Sequence, residues 1–318
     1  MHHKISVRFR LLVLLGVALL AGCARAPVQE TRQFRQAFVA VDSIGQPLLD
    51  DLAVAERLLG RASAAAEARR IARGQGYTAR QAACPAAWVP LKASADGGYI
   101  GGFCVSDAPF FSQIGDPPRT QAFRRALAFI ASFAQALAAL SDGTSAAAAT
   151  GQVEQLAVDA SRLAAGAGLA SASVIPGIAQ ALAPAITQIA QVASIDQQRR
   201  VLLDAEPKVA ALIDELAQSA PGLFNSLSDV IQSQIENGAV KADAGLARIA
   251  IYRGTVSDYV VLLGRLGAAW AQLVGAVKAP SSEANLAAIT QNSAQIVADA
   301  AAVRQSLGQL RRAGPLAP

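Results

Sequence analysis

Apolar residues recur three and four positions apart over most of this chain, and that spacing commits it to amphipathic helices. Between Gln33 and Arg73 the stripe is Phe34, Phe38, Val41, Leu48, Leu52, Leu58 and Leu59. Between Arg119 and Leu140 it is Phe123, Leu127, Ile130, Phe133 and Leu137. Further stripes run through 145–172, through 178–216, and from Leu223 to Ile235. Residues 240–278 carry Leu246, Ile249, Tyr252, Val256, Tyr259 and Leu263, and the last stripe runs from Leu286 to Leu310. Composition points the same way. Aromatics are only 5% of the chain and alanine is abundant, which favours helices over a sandwich or barrel. With 53% apolar and 16% charged residues over 318 positions, the chain is not a disordered polyelectrolyte and has ample length for a core.

The helix breakers divide this pattern. Pro47 is predicted to kink or divide the first helix, which closes at Gly74 and Gly76 after Arg69, Arg70 and Arg73. Thr120 is placed as the cap of the second long helix. Kinks are expected at Pro184 and Pro207, a new helix at Pro221, a turn at Asn237-Gly238, and a final helix from about Pro280 to Arg312. Six or seven helices joined by short loops predict antiparallel neighbours in an elongated all-α bundle.

Residues 74–118 depart from that pattern. They contain Cys84, Cys104, several Gly and Pro, and six of the sixteen aromatic residues. Asp96-Gly97-Gly98 is a turn signal between candidate strands at 87–93 and 99–105. The segment therefore reads as an irregular or β-hairpin excursion from the bundle. Its aromatics Trp88, Tyr99, Phe103, Phe110 and Phe111 are the candidate partner-binding residues, because aromatics dominate binding hot spots. The competing reading is a local mini-core.

At the N-terminus, Lys4, Arg8 and Arg10 precede an apolar run, Leu11 to Ala21, that is too short for an ordinary membrane span. The run ends in Leu20-Ala21-Gly22-Cys23, which closely resembles the cleavage box of bacterial lipoproteins. The resemblance covers about the first 25 residues. It implies that residues 1–22 are a signal peptide and that Cys23 becomes the new N-terminus. Cys23 would carry a thioether-linked diacylglyceryl group and an added acyl chain such as palmitate. Several chains give a stable anchor where one does not. Ala24, standing where an Asp would mark inner-membrane retention, implies the outer membrane, facing the periplasm. Residues 23–32 then form a lipidated tether and 33–318 the bundle domain.

Removing 1–22 takes away both histidines, His2 and His3, and the three charges Lys4, Arg8 and Arg10, so the +5 of the whole chain falls to +2. Nucleic-acid binding loses its compositional support. Without histidine there is no Ser-His-Asp catalysis, imidazole-ligated zinc or His-ligated haem. No enzyme activity, metal or cofactor is expected. Cys84 and Cys104, 20 positions apart, remain to form a disulfide in an exported chain, worth about 3 kcal/mol in the chain-entropy account. The adjacent carboxylates Asp50/Asp51 and Asp214/Glu215 diverge by about 100° on a helix and read as solvated surface. Arg199-Arg200 and Arg311-Arg312 are basic pairs with only a weak pull on lipid phosphates.

Residues 163–195 carry no charge, and Asp142, Glu154, Asp159 and Arg162 are the only charged residues from 126 to 195. Pro176, Pro184, glutamines and much alanine favour a buried helical hairpin there over a membrane-inserting one. The expected function is a lipid-anchored, non-enzymatic scaffold that binds an envelope protein partner. The alternatives are a membrane-active or pore-forming protein that uses 163–195, and a carrier of an apolar ligand.

Overall fold

The computed structural model describes residues 28–72, 104–141, 146–164, 195–278, 283–312, 314 and 316. The signal region, Cys23, Cys84, Trp88, Tyr99, Phe103 and most of 163–195 lie outside them. Every described element is helical. In chain order they are α1 (Val28–Ala72), a 3-10 turn (Val105–Asp107), α2 (Ala108–Phe111), α3 (Pro118–Ser141), α4 (Ala146–Ala164), α5 (Ile195–Glu236), α6 (Ala242–Lys278) and α7 (Glu283–Arg312).

Helix α1 is the organising element and touches α2, α3, α5, α6 and α7. Its stripe Phe34, Phe38, Val41, Ile44, Leu48 and Leu52 is fully buried or nearly so. The helix starts at Val28, so the expected tether is shorter than 23–32, and Glu30 and Thr31 are already buried. Pro47 lies inside α1 without dividing it. A mid-helix proline costs about 3 kcal/mol in an exposed helix. Here Ile44, Leu48 and Leu49 hold the chain in the core on both sides of it.

The two predicted helices around Pro221 are one helix. α5 runs through both Pro207 and Pro221, and both prolines are exposed. The buried face of Val209, Leu212, Leu216, Leu223 and Leu227 stays continuous past both prolines. The next break is real. Gly238, at φ 77°, turns the chain between α5 and α6.

Side-chain bonds fix the directions. Asp51 meets Tyr252 and Phe34 meets Trp270, so α6 runs antiparallel to α1. Asp50 pairs with Arg124 and Glu56 binds the start of α3, so α3 is antiparallel to α1 as well. Ser293 bonds Gln33 and Arg304 bonds Ser43, so α7 lies parallel to α1. At Gly45 the packing is tight enough that a Cβ would lie 2.7 Å from the Tyr259 hydroxyl oxygen.

The centre of the core is Trp270. Its ring contacts Phe34 of α1 at 5.4 Å and Phe133 of α3 at 5.8 Å, edge-on, and its indole N–H donates to the Glu206 carbonyl of α5 at 3.1 Å. Two helices, Pro118–Ala139 and Ala242–Lys278, are long and apolar enough to cross a membrane by length and composition. In the bundle, 67% and 50% of their most apolar windows are buried, as for core helices of a folded domain.

Candidate partner-binding surface

The described end of the excursion, residues 104–117, crosses the C-terminal half of α1. Cys104 is extended, and the chain turns at once into the 3-10 turn and the single-turn helix α2. The strand expected at 99–105 is therefore not continued beyond Cys104. Pro109 at the start of α2 suits the first turn of a helix, where a missing N–H costs nothing.

Two bonds from α1 arginines hold this segment, and three more to Glu56 fix the start of α3 that follows it. Arg61 donates to the Phe110 carbonyl at 2.9 Å, and Arg57 donates to the Gly115 carbonyl at 2.8 Å. The Glu56 carboxylate accepts from the Arg119 N–H at 3.1 Å, the Thr120 N–H at 2.8 Å and the Thr120 hydroxyl at 2.7 Å. α3 is thus capped from α1 rather than by Thr120, whose backbone is itself one of the donors that Glu56 satisfies. Phe110 seats its ring on Gly60, where a Cβ would overlap it.

The outward side of the same segment exposes three apolar residues beside the polar Ser106 and Gln113. Phe111 is 49% exposed with the Arg61 guanidinium 5.6 Å from its ring centre, Val105 is 80% exposed and Ile114 is 91% exposed. Of the candidate aromatics, the structure divides Phe110 inward and Phe111 outward; Trp88, Tyr99 and Phe103 lie outside the described residues. Val105, Ile114, Arg57 and Arg61 were not singled out in the sequence. The signal available was a helical arginine pair at i and i+4, followed in the chain by an irregular segment with unpaired carbonyls.

Cys104 is the one cysteine described, 4% exposed, with the Ser106 hydroxyl 3.0 Å from its sulfur.

A second polar group sits inside the bundle. The Tyr252 hydroxyl donates to Asp51 at 2.8 Å, while Arg248 lies 5.8 Å from the Tyr252 ring and donates to the Gly314 carbonyl at 2.7 Å. Burial raises the Asp51 carboxyl above the usual carboxylate range, against the pull of the Tyr252 bond and of Arg248. Burial, reinforced by Asp51, pushes the Tyr252 hydroxyl well above the usual tyrosine range, and burial does the same to Tyr259. Both stay neutral. Tyr252 has no exposed surface, whereas Asp51 keeps a partly exposed edge. The chemistry of this cluster is that of a pin joining α1, α6 and the chain after α7.

The adjacent carboxylates are therefore not all solvated surface. Asp50 turns outward to Arg124, and Asp51 turns inward to Tyr252. Asp214 is exposed, whereas Glu215 is 9% exposed and accepts from Ser219 at 3.1 Å. Among the described residues, no group of three or more acidic, cysteine or histidine residues could hold a metal ion. The chain matches no family model, and comparison with curated proteins and with solved structures returns no match.

Proposed function

We propose that this chain is a lipoprotein of the bacterial cell envelope. Cys23 carries the lipid anchor at the periplasmic face of the outer membrane, and the helical bundle is a non-enzymatic scaffold that binds an envelope protein through residues 104–117. One observation carries the binding reading: Val105, Phe111 and Ile114 stand out from a segment that arginines 57 and 61 fix in place. Single exposed apolar residues are ordinary, but several on one pinned segment form a pre-organised surface that orders at little entropic cost on binding. The anchor reading rests on Leu20-Ala21-Gly22-Cys23. Val28, where α1 starts, follows Cys23 by five residues, at most about 17 Å of chain, so an anchor there would hold the bundle beside the bilayer. The pairing of Cys104 with Cys84 belongs to the same reading, and ties the excursion to the pinned segment.

Photocrosslinking residues placed at Phe111 and Ile114 test the surface, with Val261, an exposed apolar position on α6, as the control. The expected result is one envelope protein captured from 111 and 114, absent from 261, and lost with Ile114→Asp when the label is at 111. Equal capture from all three positions, or none, contradicts the proposal. Leakage from liposomes caused by the purified chain would instead promote the membrane-active reading.

A further inference from the structure

Helix α6 is apolar over more of its circumference than the bundle covers. Its most apolar window has a mean hydropathy of 1.6, yet only 50% of that window is buried. A helix that is apolar all round is ordinarily buried all round. The uncovered side is one continuous stripe. From Ala250 to Gly275, exposed positions recur alternately four and three apart, over about 38 Å of helix. None of them is charged and none is larger than Val261, which is 54% exposed. The one polar side chain among them, Ser257, donates its hydroxyl to the Arg253 carbonyl of its own helix at 2.7 Å. Gly254, Gly264 and Gly275 stand on this stripe, and a Cβ added at any of them would meet nothing. Neither packing within the chain nor a positive φ calls for glycine there. Three interior glycines weaken a helix relative to alanine, and their placement on its open face fits the close approach of a second backbone.

Alternation of four and three is the spacing of a seam between two helices. The stripe is complementary to itself. Laid antiparallel on a second copy with Val261 opposite Gly264, it also sets Gly254 against Ala271 and Ala250 against Gly275. The largest side chain then lies over a glycine, twice. A parallel pair would instead stack Val261 on itself and hold the glycines apart. Charge agrees with the antiparallel match. Asp258 and Arg265 flank the stripe on the same side, each one residue beyond a seam position, and the match brings each Asp258 beside the Arg265 of the other copy. Arg265 already pairs with Asp299 of its own chain, and the five donors of a guanidinium can serve both carboxylates. We propose that two copies of this chain pair through the open face of α6 as an antiparallel dimer. Such a contact is isologous and closes on itself. It depends neither on the lipid anchor nor on the surface at 104–117.

The test uses the chain from residue 23 onward, which contains every described element, made with Cys23→Ser so that no covalent lipid contributes. One helix face is a small interface, so sedimentation equilibrium should give a dimer with a dissociation constant of about 10 µM, within tenfold. Gly264→Glu buries a carboxylate at the centre of the seam and should weaken the dimer about fiftyfold or more. Gly151→Glu makes the same change at an exposed α4 glycine with open space around it, and should stay within about twofold of the parent. Asp258→Arg sets like charges against Arg265 and should weaken the dimer about tenfold. Melting curves check that each variant folds. Orientation is read by oxidative crosslinking. A mixture of Ala250→Cys and Gly275→Cys chains should form a bridge between the two positions, while either alone should give no more than the parent, which keeps Cys84 and Cys104. In the photocrosslinking described above, the product expected at Val261 is a second copy of this chain and not the envelope partner. A chain that stays monomeric at about 200 µM overturns the proposal, and coverage of the stripe by residues 163–195 of the same chain would give that result. Equal weakening by Gly264→Glu and Gly151→Glu, or a bridge from 250 to 250, which marks a parallel pair, overturns it as well.

Discussion

Asp51 carries its charge at a cost that the Tyr252 hydroxyl only partly offsets, because loss of water around the carboxylate outweighs that bond and Arg248 together. Its folded pKa lies above the ordinary 3.8, so the folded chain holds the proton more tightly than the unfolded one. The group's contribution to stability is fully present below that ordinary value and is lost as pH rises through the folded pKa. Asp51→Asn keeps an acceptor for Tyr252 and removes the charge. Its melting temperature should match the parent near about pH 3 and rise above the parent towards about pH 7. A variant that becomes less stable than the parent as pH rises contradicts this. Tyr252→Phe removes the donor and leaves the buried carboxylate without it, which should cost about 1–3 kcal/mol by chemical denaturation. Neither residue could be ranked from the sequence. Asp50 and Asp51 are chemically identical neighbours, and only the 100° between them on α1 sends one to solvent and the other to α6.

At the scale of elements, the long stripes were legible because each buried face repeats at the helical period. The ends of α3, α6 and α7 fall within a few residues of the pattern. The prolines were not legible in the same way. A breaker acts on local backbone geometry, and whether it divides a helix depends on the face it occupies and on what holds the flanks. Pro221 is exposed on α5 and leaves the buried face intact, while Gly238, at φ 77°, takes the backbone out of helical geometry. The segment 104–117 was legible as irregular but not as docked, since its anchors Arg57 and Arg61 are more than forty residues away in the chain. Gly60→Ala would push the Phe110 ring off α1. It should increase proteolysis within 104–117 while the bundle's melting temperature falls only slightly. Unchanged cleavage would contradict the docking described for Phe110. For the bridge, peptides containing Cys84 and Cys104 should appear linked in mass spectra taken without reduction. Alkylation of both in the native protein would remove the stapled-excursion reading and release Cys104 as a buried thiol.

At the scale of the molecule, α1 joins three features on one rod. Its first turn follows Cys23 by five residues, its N-terminal third lines a groove with α7, and its C-terminal half carries the docked apolar segment. A 45-residue helix is about 67 Å long, so the proposed anchor at its start would lie far along the rod from the apolar segment. The proposed anchoring depends on Cys23. The decisive measurement is the mass of the N-terminal peptide from membrane-extracted protein, paired with fractionation of Cys23→Ser. The account predicts a peptide that begins at Cys23 and carries a diacylglyceryl group and an acyl chain, and a Cys23→Ser protein that is unprocessed or released from the outer membrane. A peptide beginning elsewhere, a free Cys23 thiol, or a Cys23→Ser protein still held as a lipoprotein would contradict it.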